Sequence, residues 1–155
     1  MQVKVPSSKS ITQRAHIAAY FAGPGATVIN PSLSDDANCV KIAMQQFQNT
    51  KGCINIDCMG SAFVLRTLGL VAAKLERTTI LDGDSSLRNR PVSILSSALD
   101  RLGVEYSLNG SGLPITIKGK LKSAEIKLNA SLSSQVLSGI LMCMPLCDGD
   151  TTLIV

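Results

Sequence analysis

Three times along this chain a stretch of helical apolar period gives way to a short run of strand character, with glycine, proline or aspartate at the changeovers. Such units expose an apolar face unless they pack on one another, so the pattern places the chain in the α/β class, built from repeated helix–strand units. The middle round is the plainest. Residues 60–75 read as a buried helix, apolar on most sides through Phe63, Val64, Leu65, Leu68, Leu70, Val71 and Leu75. A strand over 78–81 and a turn over 82–85 follow. Asn89 is the expected cap, and Pro91 the first residue, of a helix carrying Ile94, Leu95, Ala98, Leu99 and Leu102, with Gly103 at its end. Strands over 104–108 and 115–118 flank the turn Asn109–Gly112.

The rounds on either side read the same way. Gln2–Val5 alternates as a strand, and Ile11, Ala15 and Ala18 give the next helix an apolar face until Gly23-Pro24-Gly25 breaks it. A strand over 26–30 leads to a second helix, capped by Ser34 or Asp35, with Val40, Ala43, Met44 and Phe47 on its apolar side. Asp35 and Asp36 suit that helix's first turn, so their expected role is structural. A strand over 53–57 closes the round. The third has a strand over 125–128, a polar turn over 129–133, a helix through Val136, Leu137, Ile140, Leu141 and Met144, and a strand from Asp150. There the pattern stops, and the expectation is that a last piece is missing. At 155 residues the chain suits one domain or part of a larger protein.

Polar residues outside this apolar pattern gather at helix starts. In Pro6-Ser7-Ser8-Lys9-Ser10-Ile11-Thr12-Gln13-Arg14, Ser10 is the expected N-cap and Gln13 completes a Ser-x-x-Gln capping box. Arg14 lies one turn after Ser10. Lys9, Ser10 and Arg14 thus converge where free backbone N–H groups and the helix dipole favour an anion. The bland alternative is a capped surface helix with two solvated cations. Three more clusters stand at comparable places: Leu87-Arg88-Asn89-Arg90-Pro91, Ser131-Leu132-Ser133-Ser134-Gln135, and the small residues Gly60-Ser61-Ala62, which let a ligand approach backbone N–H groups. Each has an ordinary capping explanation by itself. Together they offer cations, hydroxyls and an amide suited to a multiply anionic small molecule.

Composition narrows the ligand. The net charge of +4 comes from scattered cations, and with 3% aromatic residues and no Trp the chain lacks stacking platforms for nucleic acid. Cys39, Cys53, Cys58, Cys143 and Cys147 form an odd set without disulfide-framework spacing, and read as reduced thiols in a reducing, cytoplasmic setting. The one histidine, His16, has no Cys-x-x-Cys partner, so no metal is expected. No stretch has the apolar length of a membrane span. A mean hydropathy of +0.25 is high for a soluble domain, and points to apolar surface covered by something outside this sequence.

Three of the clusters carry a resemblance. Pro6 to Arg14 resembles the P-G-S-K-S-x-x-x-R motif of the 5-enolpyruvylshikimate-3-phosphate synthase family, with Ser7 in the glycine position. Gly83 to Pro91 resembles its G-x-x-x-x-x-x-R-P segment, and Ser131 to Gln135 its S-x-S-S-Q segment. The motifs occur in family order across nearly the whole chain. The related enolpyruvyl transferases acting on UDP-N-acetylglucosamine share the architecture but fit the motifs less well.

The resemblance implies inner helices and outer sheets. It divides the chain into a strand and crossover segment over 1–8 and a shikimate-phosphate-binding domain over 9–155, truncated at its C-terminal end. It implies enolpyruvyl transfer from phosphoenolpyruvate to the 5-hydroxyl of shikimate 3-phosphate, within aromatic amino acid biosynthesis and without a cofactor. By the same resemblance Ser10 and Arg14 hold the shikimate carboxylate, and Ser133 and Ser134 hold the 3-phosphate. Gln135 lies between the substrates, Lys9 touches both and is the catalytic candidate, and Arg90 binds phosphoenolpyruvate. The family's N-A-G-T-A-x-R segment aligns in two ways. A gap-free match anchored on Arg66 loses the Gly-Thr pair, whereas a short insertion makes Gly60-Ser61 that pair and Gly60 a phosphoenolpyruvate contact. Family members are much longer, so a second domain is expected as partner and this chain alone is expected not to turn over. The alternatives are a non-catalytic module that binds shikimate 3-phosphate, and an ordinary α/β domain whose caps mimic the motifs.

Overall fold

Ser8 stands in extended backbone (φ −65°, ψ 122°), and its hydroxyl accepts from the Ile11 N–H at 3.4 Å, so helix α1 (Lys9–Ala22) starts there. The chain is seen in a computed structural model that describes residues 3, 5–123, 125–127 and 134–154. The cap falls two residues before the expected Ser10. The Ser10–Gln13 capping box is not formed; Gln13 is buried instead. Of the strand read over 2–5, only Val3 and Val5 are described, and neither lies in a strand.

Contacts divide the chain into two units, Met1–Asn49 and Thr50–Val155. In the first, α1 packs on α2 (Asp35–Asn49) through Ile17, Val40, Ala43 and Phe47. Ser34 caps α2 through its hydroxyl, with Asp35 and Asp36 in the first turn as expected. The buried face of α1 differs from the reading. Thr12, Gln13 and Ile17 are inside, whereas Ile11 is 70% exposed and Ala18 is exposed. The reason is local: Thr12 Oγ1 accepts the Ser32 N–H at 2.9 Å, which turns that side of the helix inward. Residues 26–30 form no strand, because no partner strand lies beside them among the described residues, and Ile29 is 87% exposed.

The second unit holds a four-stranded sheet of β1 (Ile54–Asp57), β2 (Thr79–Asp82), β3 (Tyr106–Asn109) and β4 (Gly112–Ile117), in the order β1-β2-β4-β3. β1 and β2 run parallel, with Ile54 opposite Thr79 and Asp57 opposite Asp82, while β4 is antiparallel to β2 and to β3. Helix α3 (Ala62–Leu75) packs against this sheet and is buried nearly all round, as its sequence predicts. Gly69 is where its neighbours come close: a Cβ there would stand 2.8 Å from Leu95 Cδ2 and 3.3 Å from Ile117 Cδ1.

The helix expected after Asn89 and Pro91 forms, but later than its cap was placed, and an unexpected short helix precedes it. The short α4 (Ser85–Arg88) is capped by Asp84, and α5 (Ser93–Arg101) begins two residues past the proline. Asn89 is the C-cap of α4, since the Asp84 carboxylate accepts the Leu87 N–H at 2.9 Å and starts helical winding earlier. Gly103 follows α5 at φ +63°, as expected. Finally, β5 (Glu125–Lys127) and β6 (Thr152–Ile154) pair in parallel around α6 (Ser134–Cys143) and a 3₁₀ turn (Met144–Leu146). The polar turn over 129–133 lies outside the described residues.

Candidate anion-binding site

Each unit has its own polar cluster at helix starts. In the first, Lys9 begins α1, and its Nζ lies 3.0 Å from Asp36 Oδ2. Asp36 thus holds a cation as well as occupying a first turn, which composition alone did not reveal. Both ends of the pair keep solvent access, so the lysine is oriented without being neutralised by burial. Ser10 is exposed at the second helical position, and Arg14 reaches back one turn to donate from Nη1 to the Ser10 carbonyl at 2.8 Å. The expected neighbours Lys9, Ser10 and Arg14 therefore do share one end of α1, with Ser8 rather than Ser10 as the cap. Further along α1, burial and the Lys41 charge hold the His16 pKa below its ordinary value, which favours the neutral imidazole.

In the second unit the site grows from the parallel strands. Loops leaving the carboxyl ends of β1 and β2 are tied to each other: Cys58 N–H donates to the Asp82 carbonyl at 2.7 Å, and Asp84 N–H to the Met59 carbonyl at 3.0 Å. Such carboxyl ends are the usual ligand side of parallel strands. Gly83 makes the tie possible, because a Cβ there would stand 2.3 Å from the Met59 oxygen. From the first loop rises α3, capped by the buried Ser61, whose hydroxyl accepts from the Val64 N–H. Gly60 is backed by the Asp84 carboxylate, with a built Cβ 3.1 Å from Oδ2. An anion laid against that side of Gly60 meets a negative group.

Two arginines of the second loop divide their roles. Arg88 grips Asp82 with Nε–Oδ1 at 3.0 Å and Nη2–Oδ2 at 2.5 Å, and this holds the Asp82 carboxyl below the usual carboxylate range. Arg90 is exposed and forms no ion pair among the described residues. Its charge presses on the half-buried Arg66 of α3, whose pKa is lowered by burial first and by Arg90 second. Arg66 in turn donates from Nη1 to Gln135 Oε1 on α6 at 2.7 Å. Arg66, Arg90 and Gln135 are thus linked, leaving a positive field beside an amide. Ser134 opens α6 and is exposed; Ser133 lies outside the described residues. Arg66 entered the sequence reading only as an alignment anchor, and its partner lies 69 residues away, so local spacing could not supply the link.

Among the described residues no group of three His, Cys, Asp or Glu side chains is arranged to hold a metal ion, and no helix is long and apolar enough to cross a membrane.

Comparison with known proteins gives a consistent family. The model of EPSP synthase (3-phosphoshikimate 1-carboxyvinyltransferase) matches residues 1–155. The chain is similar to the 3-phosphoshikimate 1-carboxyvinyltransferase of Methanocella arvoryzae, at 36% identity over 99% of this chain and 41% of that protein. With its namesake from Methanothrix thermoacetophila it shares 34% identity over 97% of this chain and 40% of the relative. The fold matches EPSP synthase from Acinetobacter baumannii with a TM-score of 0.84 at 21% identity, covering 99% of this chain and 40% of that one. The chain therefore spans about two fifths of the length of the curated relatives it matches.

Proposed function

Since this chain belongs to the EPSP synthase family, we propose that it is the shikimate 3-phosphate-binding portion of an enzyme that transfers the enolpyruvyl group of phosphoenolpyruvate to the 5-hydroxyl of shikimate 3-phosphate. The observation that carries the reading is the match of the family model to the whole chain, with its motif cations and hydroxyls at helix starts. In the first unit, Ser10 and Arg14 are assigned to the shikimate carboxylate and Lys9 to both substrates. In the second, Ser133 and Ser134 are assigned to the 3-phosphate, Gln135 to the space between substrates, and Arg90 to phosphoenolpyruvate. Gly60 is assigned to phosphoenolpyruvate on the side away from the Asp84 carboxylate behind it.

The chemistry suits such equipment. Protonation of the phosphoenolpyruvate methylene carbon lets the hydroxyl add to the neighbouring phosphate-bearing carbon, and the tetrahedral intermediate then loses phosphate and a methyl proton to leave the enolpyruvyl ether. Both substrates are anions and charge gathers on the departing group, so fixed cations stabilise the transition state more than mobile solvent does. The cytoplasmic setting and a second domain as partner belong to the same proposal. That domain would close over the substrates and exclude water from the intermediate.

Titration calorimetry on the purified chain tests the binding half. Uptake of shikimate 3-phosphate that falls in Arg14→Ala supports it, and a chain that ignores shikimate 3-phosphate refutes it. Uptake of UDP-N-acetylglucosamine instead would move the chain to the sibling transferase. Phosphate release from phosphoenolpyruvate distinguishes catalysis from mere binding; we expect none from this chain by itself.

A further inference from the structure

We propose that Arg66 is a positioning residue: by holding Gln135 Oε1 it turns the Gln135 amide nitrogen toward the bound anion. The inference rests on the functional reading above and adds to it a residue and an orientation. A guanidinium carries five N–H donors and no acceptor, so the Gln135 atom 2.7 Å from Arg66 Nη1 must be the carbonyl oxygen. The amide's NH2 end is thereby directed away from Arg66, and Gln135 is presented as a donor. A donor is what a phosphate or carboxylate oxygen requires.

The helices keep the pair in register. Gly139 stands one turn after Gln135 on α6, and Leu70 one turn after Arg66 on α3. A Cβ on Gly139 would stand 2.7 Å from Leu70 Cδ1 and 3.4 Å from Thr67 Cα. Contacts therefore step forward along both helices together, so α3 and α6 run parallel here, at a separation that the missing Cβ permits. That closeness lets a glutamine reach an arginine that is itself half-buried and has little freedom to swing away. Arg88, by contrast, is committed to Asp82 and cannot take over the task.

Titration with shikimate 3-phosphate at low salt, followed both by calorimetry and by the Gln135 side-chain amide signal in nitrogen-15 NMR, tests the proposal. The Gln135 signal is assigned by its loss in Gln135→Ala. Expected are an Arg66→Ala variant about tenfold weaker in affinity, partial recovery in Arg66→Lys, and a double variant with Gln135→Ala no weaker than either alone. Gln135→Glu keeps its partner in Arg66 and its melting temperature, but presents an acceptor to an anion and should lose binding. A merely structural Arg66 would instead lower the melting temperature and leave the ligand-induced shift of the Gln135 amide in place. Wild-type affinity in Arg66→Ala, or additive losses in the double variant, overturns the inference alone. A parent chain that takes up no shikimate 3-phosphate overturns the functional reading, and this inference with it.

Discussion

Replacing Gly83 by alanine should loosen the second unit through one backbone contact. The new Cβ would stand 2.3 Å from the Met59 carbonyl oxygen and 2.6 Å from Leu87 Cδ2. Neither neighbour yields easily, since one is main chain and the other belongs to a fully buried leucine. The loops after β1 and β2 must therefore part, an overpacking cost of about 1–3 kcal/mol. Parting also stretches the 3.0 Å bond from Asp84 N–H to Met59, whose loss costs about 1 kcal/mol more. Against this, Gly83 is not among the glycines at positive φ, so alanine fits its backbone and recovers about 0.4–1 kcal/mol from a stiffer unfolded chain. The balance is a loss of about 1–3.5 kcal/mol. Gly60→Ala is the milder comparison: its Cβ meets only the Asp84 carboxylate, at 3.1 Å, and a small shift there strains the bond from Leu87 N–H that caps α4, so about 1 kcal/mol should be lost. Urea denaturation followed by far-ultraviolet circular dichroism measures both, and hydrogen exchange at the Asp84 amide shows whether the tie has opened. A Gly83→Ala chain as stable as its parent, with that amide still protected, would refute the reasoning.

Three other outcomes are expected. Arg14→Ala should weaken shikimate 3-phosphate binding by about 1.5–3 kcal/mol in calorimetry, the range for hydrogen bonds to charged groups, without unfolding α1. Because Arg88 depresses the Asp82 pKa in the folded state, the pair contributes stability above the unfolded carboxylate value of about 4, and this is lost as pH falls through the folded value. Urea midpoints of parent and Arg88→Ala should therefore differ at neutral pH and converge in acid; a constant gap would contradict this. Burial pushes the Cys143 thiol up to about 12, so a disulfide exchange reagent at mild pH should label exposed Cys53 first and Cys143 only on unfolding.

Much of this molecule is legible in its residues, for reasons that differ by element. Helix α3 is read correctly because Phe63 to Leu75 is apolar on nearly every side, which only a buried helix tolerates. Phe47, Val40 and Ala43 fall on the predicted side of α2 because, with Met44, their helical spacing gives one continuous apolar face to bury. The face of α1 is misread because Thr12 spends its hydroxyl on Ser32, a contact with no periodic signature. Residues 26–30 have strand composition, yet strand structure needs a neighbour to bond with. Asn89 and Pro91 resemble a helix start, but Asp84 begins one earlier. Of the candidate site, Lys9, Arg14 and Arg90 are legible as motif residues. The links from Lys9 to Asp36 and from Arg66 to Gln135 depend on how distant helices approach, and no motif spans them.

The two units also differ in how they close on themselves. Residues 83–111 separate β2 from its partner β4, whereas residues 23–34 alone join α1 to α2. In the unfolded chain, bringing together the ends of a connection as long as the former costs about 0.8 kcal/mol more in closure entropy than for the latter. Contacts around α1 and α2 are thus near neighbours in sequence, while the sheet must wait for β4 to return beside β2. Folding of this chain should begin among its local helical contacts and finish at the sheet, the slower step set by the longer search.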